Sequence, residues 1–322
     1  MKTTPKASAT AKLLLVGAAH MDRRAKAASP FHPKASNPGV LVESPGGALF
    51  NAATALRALG CHVGFLGARG GDDDGRRIAS AIADLAVEDL SVTFLDRATS
   101  TYTAIIDDHG ELVAGIADMA LYDRLGPKLL QRRSVRDAMA KSDALIIDAN
   151  LPGEMIVGAV EAASKRPVAA IGVSPAKVRR LVPVLPRLAA VFLSRAEAAA
   201  LAEVTAATNL RLIASLIGEQ GVRRAVISDG ALEAAILVGK DLIFQRPPAV
   251  RPLDVTGAGD TLAAIAFAAH LRGAPFVECA RRGIVAASLR ISDPDFPPRD
   301  LAGDIDRLLP QLSEPLTDPS RP

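Results

Sequence analysis

The chain has no tryptophan, and aromatic residues make up only 3% of its 322 residues. Proteins that hold single strands of nucleic acid stack bases on aromatic side chains, so this class is disfavoured. Charge excess is also small: 38 basic and 35 acidic residues leave +3. The basic clusters "QRRSVRD", "KVRR", "GVRR" and "CARRG" are scattered along the chain. They read as solvated helix faces and ends, and no nucleic-acid partner is expected. Only two cysteines occur, Cys61 and Cys279, neither with a His or Cys at metal-ligand spacing. They read as reduced thiols of a cytoplasmic protein. No apolar run reaches membrane-spanning length, so no membrane partner is expected. The run Leu13–Ala19 passes directly into "HMDRR". It reads as a buried first strand rather than a signal peptide.

What is present is apolar bulk: 49% hydrophobic residues, enough for one large core. "KLLLVGA", "HVGFLG", "DALIIDA", "PVAAIGV", "LAAVFLS" and "RRAVISD" are apolar β-type runs. Each of the last four is followed by a helical pattern, and "GALFNAATALRALG" reads as a helix that stops at Gly60. Repeated βα units with continuous apolar strands predict an α/β fold: a mostly parallel sheet with helices on both faces. Two Ala-rich helices, Asp260–Leu271 and Pro275–Ile291, close the series. Residues 12–311 read as one domain. Residues 1–11 and 312–322 read as loose tails.

Two segments break the rhythm. "SNPGVLVESPGG" is extended between Pro-Gly turns, and "SVTFLDRATSTYTAIIDDHGELVAGIADM" alternates about a hairpin turn. Residues 28–45 and 92–118 are therefore expected to form a small sheet, placed as a lid over a cleft. Such a sheet could pair with a second copy of the chain, giving a homodimer.

Chemistry concentrates in "DVTGAGDTLAA". No Lys-Ser/Thr follows the glycines, so it is not a Walker A loop. A helix starting near Ala258 would direct the amides of Gly257, Ala258 and Gly259 outwards as an anion hole. Asp260, in the first turn, is poorly placed to bind phosphate. It is well placed to take a proton from a hydroxyl about to attack phosphorus. The alternative is that Asp260 only complements the helix dipole and Asp254 only caps a turn. Gly46 and Gly47 precede another helix, with Asn51 one turn in, and permit close approach of a ligand. Asp22 follows the first strand, where ligands bind in open α/β sheets. The five histidines, His20 included, are scattered and receive no catalytic role.

Together these residues resemble the PfkB, or ribokinase-like, family of carbohydrate and nucleoside kinases. "SPGGALFNAATALRALG" is similar to its N-terminal signature and "DVTGAGDTLAA" to its C-terminal one. The resemblance implies a Rossmann-like domain with a β-sheet lid, and ATP-dependent phosphorylation of a small sugar or nucleoside. It implies Asp260 as base and Gly257, Ala258 and Gly259 as anion hole. Asp22, Gly46, Gly47 and Asn51 would hold the sugar hydroxyls. It further implies Mg2+ near Glu197, nucleotide phosphates near Ser228 and Gly230, and K+ as a candidate ligand of Asp254 and Thr256.

Some positions depart from the family pattern. Its Asn-x-x-Glu motif is here Ser194-Arg195-Ala196-Glu197, and "VAAIGVSPAK" lacks the family's Asp. Three strings, "ASNPGVLVESPGG", "DDHGELVAGIADMALYDRL" and "IIDANLP", resemble the pseudouridine kinase branch. That branch implies transfer to the 5′-hydroxyl of pseudouridine, with Asp118 and Asn150 at the base or ribose. Competing readings are a ribose- or adenosine-type kinase of the same family, and a sugar-binding regulatory protein on the kinase scaffold.

Overall fold

The computed structural model describes residues 10–317. Strand Lys12–Val16 opens the fold, and its side chains alternate between two cores. Leu13 and Leu15 enter one hydrophobic cluster, Leu14 and Val16 the other. The period-2 geometry of a strand requires this when both faces are covered. On one face pack helices Ala48–Ala58, Ala258–Leu271 and Phe276–Ser292. On the other pack Arg133–Lys141, Gly153–Ala163, Arg195–Leu201 and Leu210–Glu219.

Among the described residues the main sheet has ten strands. Glu88–Asp89, His62–Leu66, Lys12–Val16, Ala144–Asp148, Val168–Ile171, Ala190–Ser194 and Arg224–Ser228 pair in parallel. Beyond Arg224–Ser228 the strands Ala234–Val238, Asp241–Gln245 and Leu316–Thr317 continue antiparallel. The expected α/β architecture with a separate smaller sheet is present.

That smaller sheet has the order Gly39–Gly46, His20–Ala27, Thr101–Ile106, Leu112–Asp118. It differs in extent from the segments 28–45 and 92–118. His20–Ala27 belongs to it, so the chain passes from the first main-sheet strand into the second sheet within three residues. Val92–Phe94 does not belong: it pairs with Ala68–Gly70 in a two-stranded ribbon. The hairpin turns at Asp107–Gly110. The Asp107 carboxylate accepts from the Glu111 amide, and Gly110 takes φ 91°.

The expected loose tails at 1–9 and 318–322 lie outside the described residues. Residues 312–317 are docked. Leu312 is buried, and Leu316–Thr317 adds an edge strand to Asp241–Gln245.

Candidate active site

The C-terminal ends of the parallel strands converge on one cleft, as expected for open α/β sheets. At its centre is Asp260, in the first turn of helix Ala258–Leu271. Asn51 Nδ2 donates to Asp260 Oδ2 at 2.9 Å. The two residues are 209 apart in sequence, so the two glycine-led helix starts are one site. Burial pushes the Asp260 carboxyl up to about 7. The Asn51 bond opposes this shift, while the charges of Asp148, Glu197 and Asp22 add to it.

Gly257 caps this helix in the left-handed region at φ 76°. A Cβ there would stand 3.0 Å from the Asn51 amide group, so Gly257 also keeps Asn51 free to hold Asp260. One of the three amides expected to form an anion hole is engaged within the turn. The Ala258 N–H turns back to the Val255 carbonyl at 3.3 Å. Thr261 makes the first intrahelical bond, to Gly257 O, and no side chain caps the start. The amides of Gly259 and Asp260 therefore precede the helical ladder and can meet an anion.

Asp22 lies in strand His20–Ala27 and is buried, not in an exposed loop. His20 Nε2 is 3.0 Å from Asp22 Oδ1, and His20 Nδ1 has no hydrogen-bond partner among the described residues. Gly46 is explained by the Asp22 side chain, and Gly47 by its φ of 105° and the Ala18 carbonyl, 2.8 Å from where its Cβ would be. A Cβ on Gly46 would come within 2.1 Å of Asp22 Oδ2, and one on Gly47 within 3.0 Å of His20 Nδ1. His20 was missed because a lone histidine after a strand carries no motif.

Asn150 follows the strand Ala144–Asp148. Its Oδ1 accepts from Lys177 Nζ at 2.7 Å, and its side chain also favours the ionised form of Asp148 by hydrogen bonding to it. Asp148 is fully buried, and burial pushes its carboxyl up. It accepts from the amides of Ala18 and Asn150. Burial pulls the Lys177 ammonium below its usual range, against the attraction of Asp148. Lys177 and Asp148 had no sequence signal beyond their neighbours.

Asp118 does not join this group. Met21, Thr101 and Asp118 share one row of the small sheet, whereas Asp22 shares a row with Tyr102 and Ala117. Adjacent rows face opposite sides, so Asp118 is exposed on the face away from Asp22. Tyr102 takes the Asp22 face instead, its ring over Gly115, where a Cβ would be 2.7 Å from the hydroxyl.

A cavity of about 240 Å3 joins Asp260 and Gly259 to Ser194, Glu197 and Ser228. Ser194 and Glu197 form a capping box. Glu197 Oε2 accepts from the Ser194 amide at 2.8 Å, and Ser194 Oγ from the Glu197 amide at 3.3 Å. The serine that replaces the motif Asn thus has a local structural role. Burial pushes the Glu197 carboxyl up, against these bonds. Val173 lines the same cavity at φ 69°, a strained setting for a β-branched residue. A second cleft of about 620 Å3 adjoins it through Ser228, Gly259 and Leu262. Gly230 lines this cleft in the left-handed region, and Pro247, Pro248, Val250, Val255, Ile284 and Ile291 supply apolar walls.

Asp254 and Thr256 lie behind the Gly257 turn and are bonded to each other. The Thr256 amide donates to Asp254 Oδ1 at 2.9 Å, while Arg24 Nη1 donates to Oδ2. Burial opposes ionisation of Asp254, but the bonds from Thr256 and Arg24 outweigh it and hold the carboxyl below its usual range.

Asp260 thus lines the smaller cavity beside its own helix start, and Gly259 opens onto both clefts. The family model described as "pfkB family carbohydrate kinase" matches residues 10–295. The chain belongs to the pfkB family of carbohydrate kinases. It is 24% identical over 286 residues to the pseudouridine kinase of Escherichia coli, covering 87% of this chain and 90% of that one. A carbohydrate kinase from Agrobacterium tumefaciens superposes with TM-score 0.81 at 36% identity, covering 96% and 100%. The Arabidopsis thaliana ribokinase complexed with ribose and ATP superposes with TM-score 0.79 at 21% identity, covering 93% and 99%. The pfkB fold and signatures make the chain a phosphotransferase acting on a hydroxyl group of a small molecule. Among the described residues, no helix is long and apolar enough to cross a membrane.

Proposed function

We propose that this pfkB kinase transfers the γ-phosphoryl group of ATP to the 5′-hydroxyl of pseudouridine. The observation that carries the transfer chemistry is Asp260. It is held by Asn51, has a carboxyl pushed up to about 7, and stands beside an uncapped helix start. A base works best with a pKa near the operating pH.

Each group has a stated task. Asp22, oriented by His20, accepts hydrogen bonds from ribose hydroxyls. Gly46 and Gly47 let the ribose approach the backbone. Asp260 removes the proton of the attacking 5′-hydroxyl. The amides of Gly259 and Asp260 face the charge that develops on the phosphoryl oxygens, the kind of stabilisation that usually dominates. The apolar walls of the larger cleft take the adenine, with Ser228 and Gly230 towards the phosphates.

Mg2+ is expected with ATP. Among the described residues no three His, Cys, Asp or Glu side chains cluster as metal ligands. Mg2+ keeps several waters and is bound largely through substrate phosphates, so one carboxylate can serve it. Glu197 would hold one such water, and the ion would neutralise phosphate charge.

For the acceptor, the Asn150 side chain and the Lys177 ammonium that bonds it supply donors for base carbonyls. Tyr102, on the Asp22 face of the small sheet, supplies a ring for the base. The kinship with pseudouridine kinase and the three strings quoted above favour the same acceptor. ADP release with pseudouridine, uridine, adenosine, ribose and fructose tests the assignment. Pseudouridine is expected to give the highest kcat/KM, and Tyr102→Ala to lower it more than kcat/KM for a plain sugar. A preference for ribose or fructose would reject pseudouridine and keep the kinase.

The small sheet is proposed to act as a lid and as a dimer contact. Val40, Leu41, Val42, Leu112, Val113 and Ile116 are exposed, all on its two edge strands. Exposed edges of this kind pair readily with another copy. Light scattering after size exclusion is expected to give twice the chain mass, falling to one chain mass in Leu112→Lys/Ile116→Lys.

A further inference from the structure

We infer that Arg24 takes the place of a monovalent cation behind the anion hole. It neutralises Asp254 and ties the small sheet to the Gly257 turn, so that turnover needs no added K+. This rests on the kinase reading of the site.

The residues expected to hold K+ do not fit it. One Asp254 oxygen accepts from the Thr256 amide, and the other from Arg24 Nη1. Arg290 Nη2 stands 4.0 Å from that second oxygen. Two guanidinium groups therefore face the one carboxylate, and a third cation there would be repelled. The backbone leaves little slack. The amides of Leu253 and Asp254 both point to the Ile291 carbonyl, at 2.7 and 3.4 Å.

The same contact links two parts of the site. Arg24 is two residues from Asp22, so both side chains leave the same face of strand His20–Ala27. Asp254 is three residues before Gly257, which spaces Asn51 from the turn that carries Asp260. One ion pair thus sets the acceptor-holding strand relative to the base. Arg23, on the opposite face, bonds Glu43 at 2.8 Å and Asp74 at 2.6 Å. The strand is clamped on both sides, and only the Arg24 side reaches the anion hole.

An exposed ion pair usually contributes little to stability. Arg24 and Asp254 are each about a third exposed, so a purely structural role would leave turnover almost unchanged. The test uses the full chain in KCl, NaCl and tetramethylammonium chloride at one ionic strength. Wild-type rates are expected to agree within about twofold, because the guanidinium already supplies the charge. Potassium stimulation of about tenfold or more over tetramethylammonium would overturn the proposal. Arg24→Met is expected to lower kcat by about tenfold, as a displaced positioning group does. Added guanidinium ion should recover part of this loss. Arg24→Met combined with Asp254→Asn should lose no more than the larger single variant. Wild-type turnover in Arg24→Met, or additive losses, would overturn it.

Amide hydrogen exchange gives a readout that does not depend on finding an acceptor. Residues 255–259 are expected to exchange about tenfold faster in Arg24→Met than in wild type. Unchanged exchange there would overturn the latch even in a protein with no kinase activity. Faster exchange with no activity on any acceptor would instead reject the kinase reading.

Discussion

Replacing Asp260 by asparagine is expected to lower kcat by about 10³-fold, within the range set by losing a general base. KM for both substrates should stay within about threefold, since Asn keeps the size and still accepts from Asn51. The physical reason lies in the carboxyl's surroundings. Burial, with Asp148, Glu197 and Asp22 nearby, pushes Asp260 up to about 7 against the single bond from Asn51. Only the ionised form removes a proton. Wild-type kcat/KM should therefore rise with pH and level off above about pH 7, and the residual rate of Asp260→Asn should lack that limb. Stability has the opposite sign. The folded state keeps the Asp260 proton to higher pH than the unfolded chain, whose Asp titrates near about 3.9. Stability is lost as pH rises from that value through about 7. The variant removes this cost, so its melting temperature at pH 8 should equal or exceed wild type. A melting temperature lowered by more than about 5 °C would mean the carboxylate is structural rather than catalytic.

Gly46→Ala is expected to lower kcat/KM for the hydroxyl acceptor by about 10²-fold, the scale of an ångström-sized misplacement. The new Cβ would stand 2.1 Å from Asp22 Oδ2 and 2.7 Å from its Cγ. Asp22 cannot retreat easily, because His20 is 3.0 Å from its other oxygen and both side chains are buried. The carboxylate must therefore turn away from the cleft or the strand must shift. KM for ATP should change by less than about twofold, since the cleft proposed to take the adenine shares no residue with this pair. Steady-state kinetics with each substrate varied in turn separates the outcomes. Equal losses for both substrates would place Gly46 in the fold rather than at the acceptor.

Much of the frame was legible because its signals are local. Apolar runs of strand length, separated by helical patterns, require a covered parallel sheet. Gly257 with Asp260 and Gly46 with Gly47 marked two helix starts at which a ligand could approach. Even the hairpin turn at Asp107–Gly110 could be read from its residues. The limits of the second sheet were less legible. His20–Ala27 mixes charged and apolar residues without the alternation of a solvent-facing strand, because it is clamped from both sides by Arg23 and Arg24.

The sequence by itself determined the chemistry on offer. A carboxylate sits in the first turn of a glycine-led helix, a second glycine pair stands before another helix, and a pfkB signature runs through both. Only the tertiary structure decided which groups meet. Asn51 reaches Asp260 across 209 residues and Arg24 reaches Asp254 across 230. One residue of register sets Asp118 on the face of the small sheet away from Asp22, and Tyr102 on the Asp22 face. Spacing along a chain specifies which face a side chain takes within one strand or helix. It does not specify which other element that face will meet, because long-range packing is settled by the whole core at once.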